Sequence, residues 1–220
     1  MFYRLFFVLI LIVNQILCLA QVKTKILSLG EQVEFYSVVL DENRKILIHL
    51  PEDYNRSNQK YPVLYVLDGE FFFMQAASAV RYLSELGYIR NQLIPQLIII
   101  GIVNVDRNRD YTPTYAPKQD GLEFPTSGKS EKFLEFLKSE LFPLIESNYR
   151  TEPYRVITGW SLGGLFSVYT YLEHPEYFSA YLAISPSLWW DNDLYVRVTK
   201  NYIEQKKNIE EKDNRDNRFS

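Results

Sequence analysis

Cysteine and histidine are scarce in this chain: of 220 residues, one is Cys and two are His. With Cys18 as the lone thiol, no disulfide closes within the chain, and a cysteine nucleophile or a thiolate metal site is excluded from everything after the first twenty residues. No His, Cys and Asp cluster has the spacing of metal ligands, so neither a metal nor an organic cofactor is expected. Basic runs are lacking as well. The net charge is -3 and no Lys/Arg block is present, which argues against nucleic acid and against a membrane-surface helix. What the chain has in quantity is apolar and aromatic residues, 47% and 15%, enough for one domain with one sizeable core. The expected partner is a small molecule.

The longest apolar run at the start, Leu5 to Val13, follows Arg4, and Cys18 and Ala20 set small residues before Gln21. This is the pattern of a cleaved export leader over residues 1–20, which places the protein in a periplasm or outside the cell. The run is broken at Asn14, short of the about 20 apolar residues a bilayer span needs, so no stable membrane anchor is expected. Leu17 before the cysteine also fits a lipoprotein leader poorly. Asn55-Arg56-Ser57 is a glycosylation sequon, relevant only in a cell that glycosylates.

From Gln21 onward the pattern divides in two. Lys25 to Leu29, Val33 to Leu40 and Lys45 to Leu50 read as strands, the last two joined by a hairpin turn at Asp41-Glu42-Asn43. After the polar loop Pro51 to Lys60, buried strands alternate with amphipathic helices. Tyr61 to Leu67 is a strand, Phe71 to Leu86 a helix stopped by Gly87, and Leu97 to Val103 a strand apolar on both faces. Ser130 to Ser147 is a helix with Phe133, Leu134, Leu137, Leu141, Leu144 and Ile145 on one side. Ala180 to Ser185 is a strand, Leu194 to Gln205 a helix, and Lys206 to Arg218 a charged run read as a solvated tail. The alternation predicts a mostly parallel, twisted α/β sheet with helices on both faces and an antiparallel start. The domain is expected over residues 21–205, with the tail over 206–220.

Gly159-Trp160-Ser161-Leu162-Gly163-Gly164 lies between the strand Arg155 to Thr158 and the helical spacing of Leu165, Phe166, Val168, Tyr169 and Leu172. A serine between glycines at a strand-to-helix turn reads as a nucleophile elbow: Gly159 and Gly163 remove the Cβ atoms that would collide, and Ser161 Oγ is lifted above the sheet edge to attack an ester. The N–H of Leu162, at the positive end of the helix, is a natural oxyanion donor.

Four motifs occur in order: Tyr61-Pro62-Val63-Leu64-Tyr65-Val66-Leu67-Asp68-Gly69; Ile100-Gly101-Ile102-Val103-Asn104 with Asp106-Arg107-Asn108-Arg109-Asp110; the Ser161 elbow; and Ser185-Pro186-Ser187-Leu188-Trp189-Trp190. In them the chain resembles the esterase family of α/β-hydrolases, most of all its enterochelin (siderophore) esterase-like branch, over roughly Gln32 to Asn192. The resemblance implies an α/β-hydrolase fold and a carboxylic ester hydrolase. Ser161 would carry the acyl group, and the backbone N–H of Glu70 would be the second oxyanion donor beside that of Leu162. Arg107 and Arg109, on a loop after a buried strand, either contact an anionic or catecholate substrate or are solvated loop arginines. Trp160, Trp189 and Trp190 either wall an aromatic cleft or belong to the core.

In this fold the triad partners follow the serine, the acid first and then the histidine. The only histidine after Ser161 is His174, at the far end of the helix that Ser161 begins, ~20 Å away at 1.5 Å per residue. It reads as a helix terminus, and His49, ahead of the serine, lies outside that order. Asp191 and Asp193 follow the last strand, with no histidine for them to orient. Relatives continue with further strands that carry the acid and the histidine, so the resemblance also implies a C-terminal truncation and an exposed apolar edge at Ala180 to Ser185. Two functions follow as expectations: an exported serine esterase impaired by the absent base, or a non-catalytic binding protein on a hydrolase scaffold.

Overall fold

The computed structural model describes residues 29–85, 93–119 and 121–216. The leader expected over residues 1–20, all but the last residue of the strand expected from Lys25, and Gly87 lie outside the described residues.

Strands β1 (Glu31–Ser37) and β2 (Glu42–His49) pair antiparallel. Their turn falls on Val38 to Asp41, ahead of the expected Asp41-Glu42-Asn43. The reason lies in the partners: the Glu140 carboxylate accepts from the N–H groups of Val38 and Val39, and Ser37 Oγ accepts from that of Leu40. Those amides therefore leave the ladder, while Glu42 and Asn43 pair with Ser37 and Tyr36.

Strands β3 (Tyr61–Val66) and β4 (Ile98–Ile102) are buried at every position, as their apolar runs require of strands covered on both faces. With β7 (Thr151–Trp160) and β8 (Ala180–Ile184) they complete a six-stranded sheet ordered β1-β2-β4-β3-β7-β8. The β1-β2 and β2-β4 junctions are antiparallel and the other three parallel, so the mixed sheet with an antiparallel start is as expected. A separate hairpin of β5 (Lys118–Gln119) and β6 (Leu122–Glu123) had no signal in the sequence.

Helix α1 (Gly69–Glu85) covers one face, where Leu64, Val66 and Ile99 meet Phe73, Ala77 and Val80. The other face is covered by α3 (Ser130–Phe136), α4 (Phe142–Asn148) and α5 (Leu162–Glu173). There Tyr65, Phe142 and Phe178 form one group of edge-on and tilted rings and Phe133 and Phe166 a second, with centroids 5.0 Å apart for Tyr65–Phe142 and 5.2 Å for Phe133–Phe166. Burial of each such side chain is worth about 1.5–3 kcal/mol. A π-helical turn, Leu137–Leu141, joins α3 to α4 within the single helix expected from Ser130. It precedes Pro143, which has no N–H to return to the preceding turn.

The last helical stretch, α6 (Trp190–Asp216), is right-handed without interruption only after Asp193, in agreement with the expected start at Leu194, and runs past the expected end at Gln205. Asp191, Asn192 and Asp193 open it with φ values of 49, 54 and 58°, a left-handed turn that Asp and Asn tolerate better than most residues. The charged stretch read as a solvated tail is helical through Asp216, in line with the high intrinsic helix propensity of Lys, Glu and Gln. No helix among the described residues is long and apolar enough to cross a membrane.

On the α1 side, the sheet face under β7 and β8 opens into an apolar groove of about 580 Å³, lined among others by Leu64, Val66, Val156, Trp160, Leu182 and Ile184. Strand β8 is the outer strand there, with Leu182 and Ile184 exposed, in keeping with the expected apolar edge.

Candidate active site

The parallel strands β3, β4, β7 and β8 all end on one side of the sheet, where ligands of α/β folds bind. At the end of β7 the chain turns through Ser161, whose φ of 57° and ψ of -113° are unusual for a residue with a side chain. Gly159 makes this turn possible: a Cβ there would lie 2.4 Å from the carbonyl carbon of Gly163. Helix α5 then starts at Leu162. The expected elbow is therefore present as a strand-turn-helix with the serine at its tip.

A second such turn lies beside it. Strand β3 runs out through Leu67, whose N–H donates to the Thr158 carbonyl at 2.9 Å, into Asp68 at φ 53°, and α1 begins at Gly69. A Cβ on Gly163 would meet Asp68 Oδ2 at 3.3 Å and Leu67 Cβ at 3.4 Å, so the two helix starts lie against each other. Leu162 and Glu70 both belong to a first helical turn, where amide groups have no intrahelical acceptor. The two backbone donors expected to face an oxyanion are thus carried on adjacent strand ends.

Asp68 is the polar hub. Its carboxylate accepts from Arg107 Nε at 3.0 Å, from Arg107 Nη2 at 3.1 Å and from Asn104 Nδ2, while its own N–H donates to the Tyr111 hydroxyl at 3.2 Å. Burial, and next the Asp68 charge, push the Tyr111 phenol well above its ordinary pKa, so it stays protonated. Asn104 also donates to the Glu70 carboxylate, through its backbone N–H at 3.1 Å and through Nδ2 at 3.0 Å. Neither the Asp68 carboxylate nor Asn104 was given a role by the motif alone, since Asp-Gly at a strand end reads equally as a plain turn.

The two arginines part company. Both sit on α2 (Arg107–Tyr111), a five-residue helix capped by Asp106, whose side chain accepts from the Arg109 N–H at 3.0 Å. Residues two apart on a helix do not share a face. Arg107 turns to Asp68. Arg109 turns to Glu42, at 2.6 and 2.9 Å, and to Asp110, at 2.7 Å. Of the two roles open to Arg109 in the sequence, substrate contact or a solvated loop arginine, the structure shows neither: with the buried Arg44, Arg109 ties α2 to β2 in a four-residue ion cluster.

Trp160 and Trp189 are exposed, whereas Trp190 is wholly buried and donates from Nε1 to Thr114 Oγ1 at 3.0 Å. Trp160 packs edge-on against Phe72 at 6.2 Å, and Trp189 packs tilted against Phe124 at 6.2 Å. Of the three tryptophans, Trp190 is core and the other two are surface rings.

The last side chain at the elbow comes from the loop after β8. Ser187 Oγ lies 3.0 Å from Ser161 Oγ and is buried. Neither histidine joins it. His174 terminates α5, with Nε2 3.0 Å from Glu131 and 3.2 Å from the Tyr169 hydroxyl, and His49 Nδ1 meets the Leu29 carbonyl at 2.5 Å. Asp191 and Asp193 lie in the left-handed turn that opens α6.

A serine-bearing elbow at the parallel strand ends, with two helix starts side by side, defines an α/β-hydrolase-type site. The family model described as "Putative esterase" matches residues 37–218, and the chain belongs to that family. It is 35% identical over 155 residues to the ferri-bacillibactin esterase BesA of Bacillus subtilis, an alignment covering 65% of this chain and 53% of that protein. The siderophore triacetylfusarinine C esterase of Aspergillus fumigatus is 26% identical over 163 residues, covering 71% of this chain and 54% of that protein. Among solved structures, an IroE-like serine hydrolase from Shewanella oneidensis superposes with a TM-score of 0.72 at 37% identity, covering 78% of this chain and 55% of the other. The chain spans about half the length of the curated relatives it matches.

Proposed function

We propose that this chain is an ester hydrolase of the siderophore-esterase type, exported by a leader over residues 1–20, with Ser161 as its nucleophile. The observation that carries the reading is Ser161 itself: a strained serine at the head of α5, beside the first turn of α1 and the Asp68–Arg107 pair. Backbone held in such a region costs about 1–3 kcal/mol and persists where the surroundings impose it. In the proposed reaction Ser161 Oγ bonds to the ester carbonyl carbon, and the carbonyl oxygen takes up negative charge between the N–H groups of Leu162 and Glu70. The alcohol then leaves, the acyl group stays on Oγ, and water releases it as the acid. Arg107, clamped by Asp68 through Nε and Nη2, keeps Nη1 for an anionic or catecholate substrate. Exposed Trp160 and Trp189 offer ring faces to the same substrate class.

The proton of Ser161 needs an acceptor within about 3 Å, and neither histidine of the sequence supplies one. Turnover by this chain is accordingly expected to be weak, at most the ~10³–10⁴ over water that binding and an oxyanion site alone provide. That placement also favours a second reading, a binding protein on the hydrolase scaffold that holds the siderophore without cleaving it.

Intact-mass analysis after exposure to a fluorophosphonate, with a Ser161→Ala control, tests the first reading. Label that is absent from the control is expected. Folded protein that stays unlabelled while still quenching its tryptophan fluorescence with a ferric catecholate siderophore overturns the esterase reading in favour of the second.

A further inference from the structure

The loop after β8 is locked onto Ser161 by three contacts. The Ser161 N–H donates to the Ile184 carbonyl at 3.1 Å, the Ser187 N–H donates to the Ser161 carbonyl at 3.0 Å, and the two side-chain oxygens stand 3.0 Å apart. From its other side Ser187 is held by the N–H of Trp190, which donates to its carbonyl at 3.1 Å, and Trp190 is itself wholly buried. Gly164 is what lets the loop come this close: a Cβ there would lie 2.9 Å from Pro186 Cα and 3.0 Å from the Ile184 carbonyl oxygen. Ser185 adopts φ 41° to make the approach. The arrangement spends strain at two serines, 161 and 185, to bring a third hydroxyl, 2% exposed, against the first.

We infer that Ser187 is a positioning residue for Ser161: its buried hydroxyl holds Ser161 Oγ in one rotamer at the tip of the elbow. The assignment rests on Ser161 being the reacting group. A hydroxyl that is buried, on backbone held from both sides, is suited to this, and Ser161 Oγ is its side-chain hydrogen-bond partner among the described residues. Without it, Ser161 Oγ samples all three staggered positions, and the fraction aimed at a substrate falls.

The rate of fluorophosphonate labelling, measured over a range of reagent concentrations, separates positioning from binding. Ser187→Ala is expected to lower the maximal labelling rate constant roughly tenfold, the scale of one lost hydrogen bond, with the half-saturating concentration unchanged. Ser187→Thr, which keeps the hydroxyl, is expected to recover most of the rate. Should the Ala variant not fold, the near-isosteric Ser187→Cys reads the same loss. An unchanged maximal rate, or a Thr variant as slow as Ala, overturns the inference. If the unsubstituted chain takes no label, the esterase reading fails, and the Ser187 assignment is decided by crystal structures of the chain and its Ser187→Ala variant. Ser161 spreading over two or more rotamers in the variant supports the assignment, and one unchanged rotamer overturns it.

Discussion

Asp68 and Arg107 meet through two parallel N–H···O contacts of 3.0 and 3.1 Å, with the aspartate side chain 2% exposed and the arginine side chain 33% exposed. The asymmetry of burial sets an order of consequences. Removing the arginine strands a buried charge, whereas neutralising the aspartate leaves an arginine that can turn to water. Arg107→Ala is therefore expected to destabilise the fold by about 2–3 kcal/mol, and Asp68→Asn, which keeps hydrogen-bonding capacity, by about 1 kcal/mol. Urea denaturation of both variants checks this; the reverse order would contradict the placement of Asp68.

Ser161, the proposed nucleophile, sits in a strained backbone conformation. Ser161→Gly, at φ 57°, relieves backbone strain but frees the unfolded chain and leaves the buried Ser187 hydroxyl without its partner, so stability is expected to change by less than about 1 kcal/mol while fluorophosphonate labelling is lost completely. Thermal unfolding measured beside the labelling assay tests both halves. A loss of about 3 kcal/mol or more would mean that the turn is not strained.

The ion cluster below α2 predicts an acid limb. Burial alone would raise the Glu42 pKa, but hydrogen bonds from Arg109 and then Arg44 outweigh it, and the group ends below its ordinary value. A carboxylate whose pKa is lower in the folded state contributes stability above its unfolded pKa of about 4.3, and that contribution is lost as pH falls through the folded value. Melting temperatures measured from pH 6 to pH 3 should fall for the unsubstituted chain below about pH 4.5 more steeply than for Glu42→Gln, which lacks this titration. Parallel curves would remove Glu42 from the account.

Leu182, 56% exposed on the outer strand β8, belongs to an apolar surface of the kind that draws chains together. Leu182→Lys is expected to reduce light scattering of concentrated protein while leaving the circular dichroism spectrum unchanged. Scattering that stays the same would place self-association elsewhere.

How far the sequence discloses this molecule depends on the range over which its signals act. Strands β3 and β4 are legible because an unbroken apolar run of five or six residues has few other homes, and the elbow is legible because two glycines around a serine mark a local backbone need. Arg107 and Arg109 look alike in the sequence and differ only through partners far along the chain, Asp68 for one and Glu42 for the other. A five-residue helix such as α2 is too short to show a period. Ser187 was visible within a motif but without a role, since its role is a contact across 26 residues that only the packing of β8 beside β7 creates.

The cluster of Arg44, Glu42, Arg109 and Asp110 has one more consequence, for the cost of recognition. By anchoring α2 to β2 it holds the neighbouring Arg107 in place before any ligand arrives, and Asp68 fixes the guanidinium's orientation. A free arginine gives up about 2 kcal/mol of rotamer entropy when it is captured by a ligand. Here that ordering is complete when the chain folds, so an anionic substrate of the kind proposed would meet an arginine already immobilised, and its selection would be governed by shape and charge instead of by its ability to order its receptor.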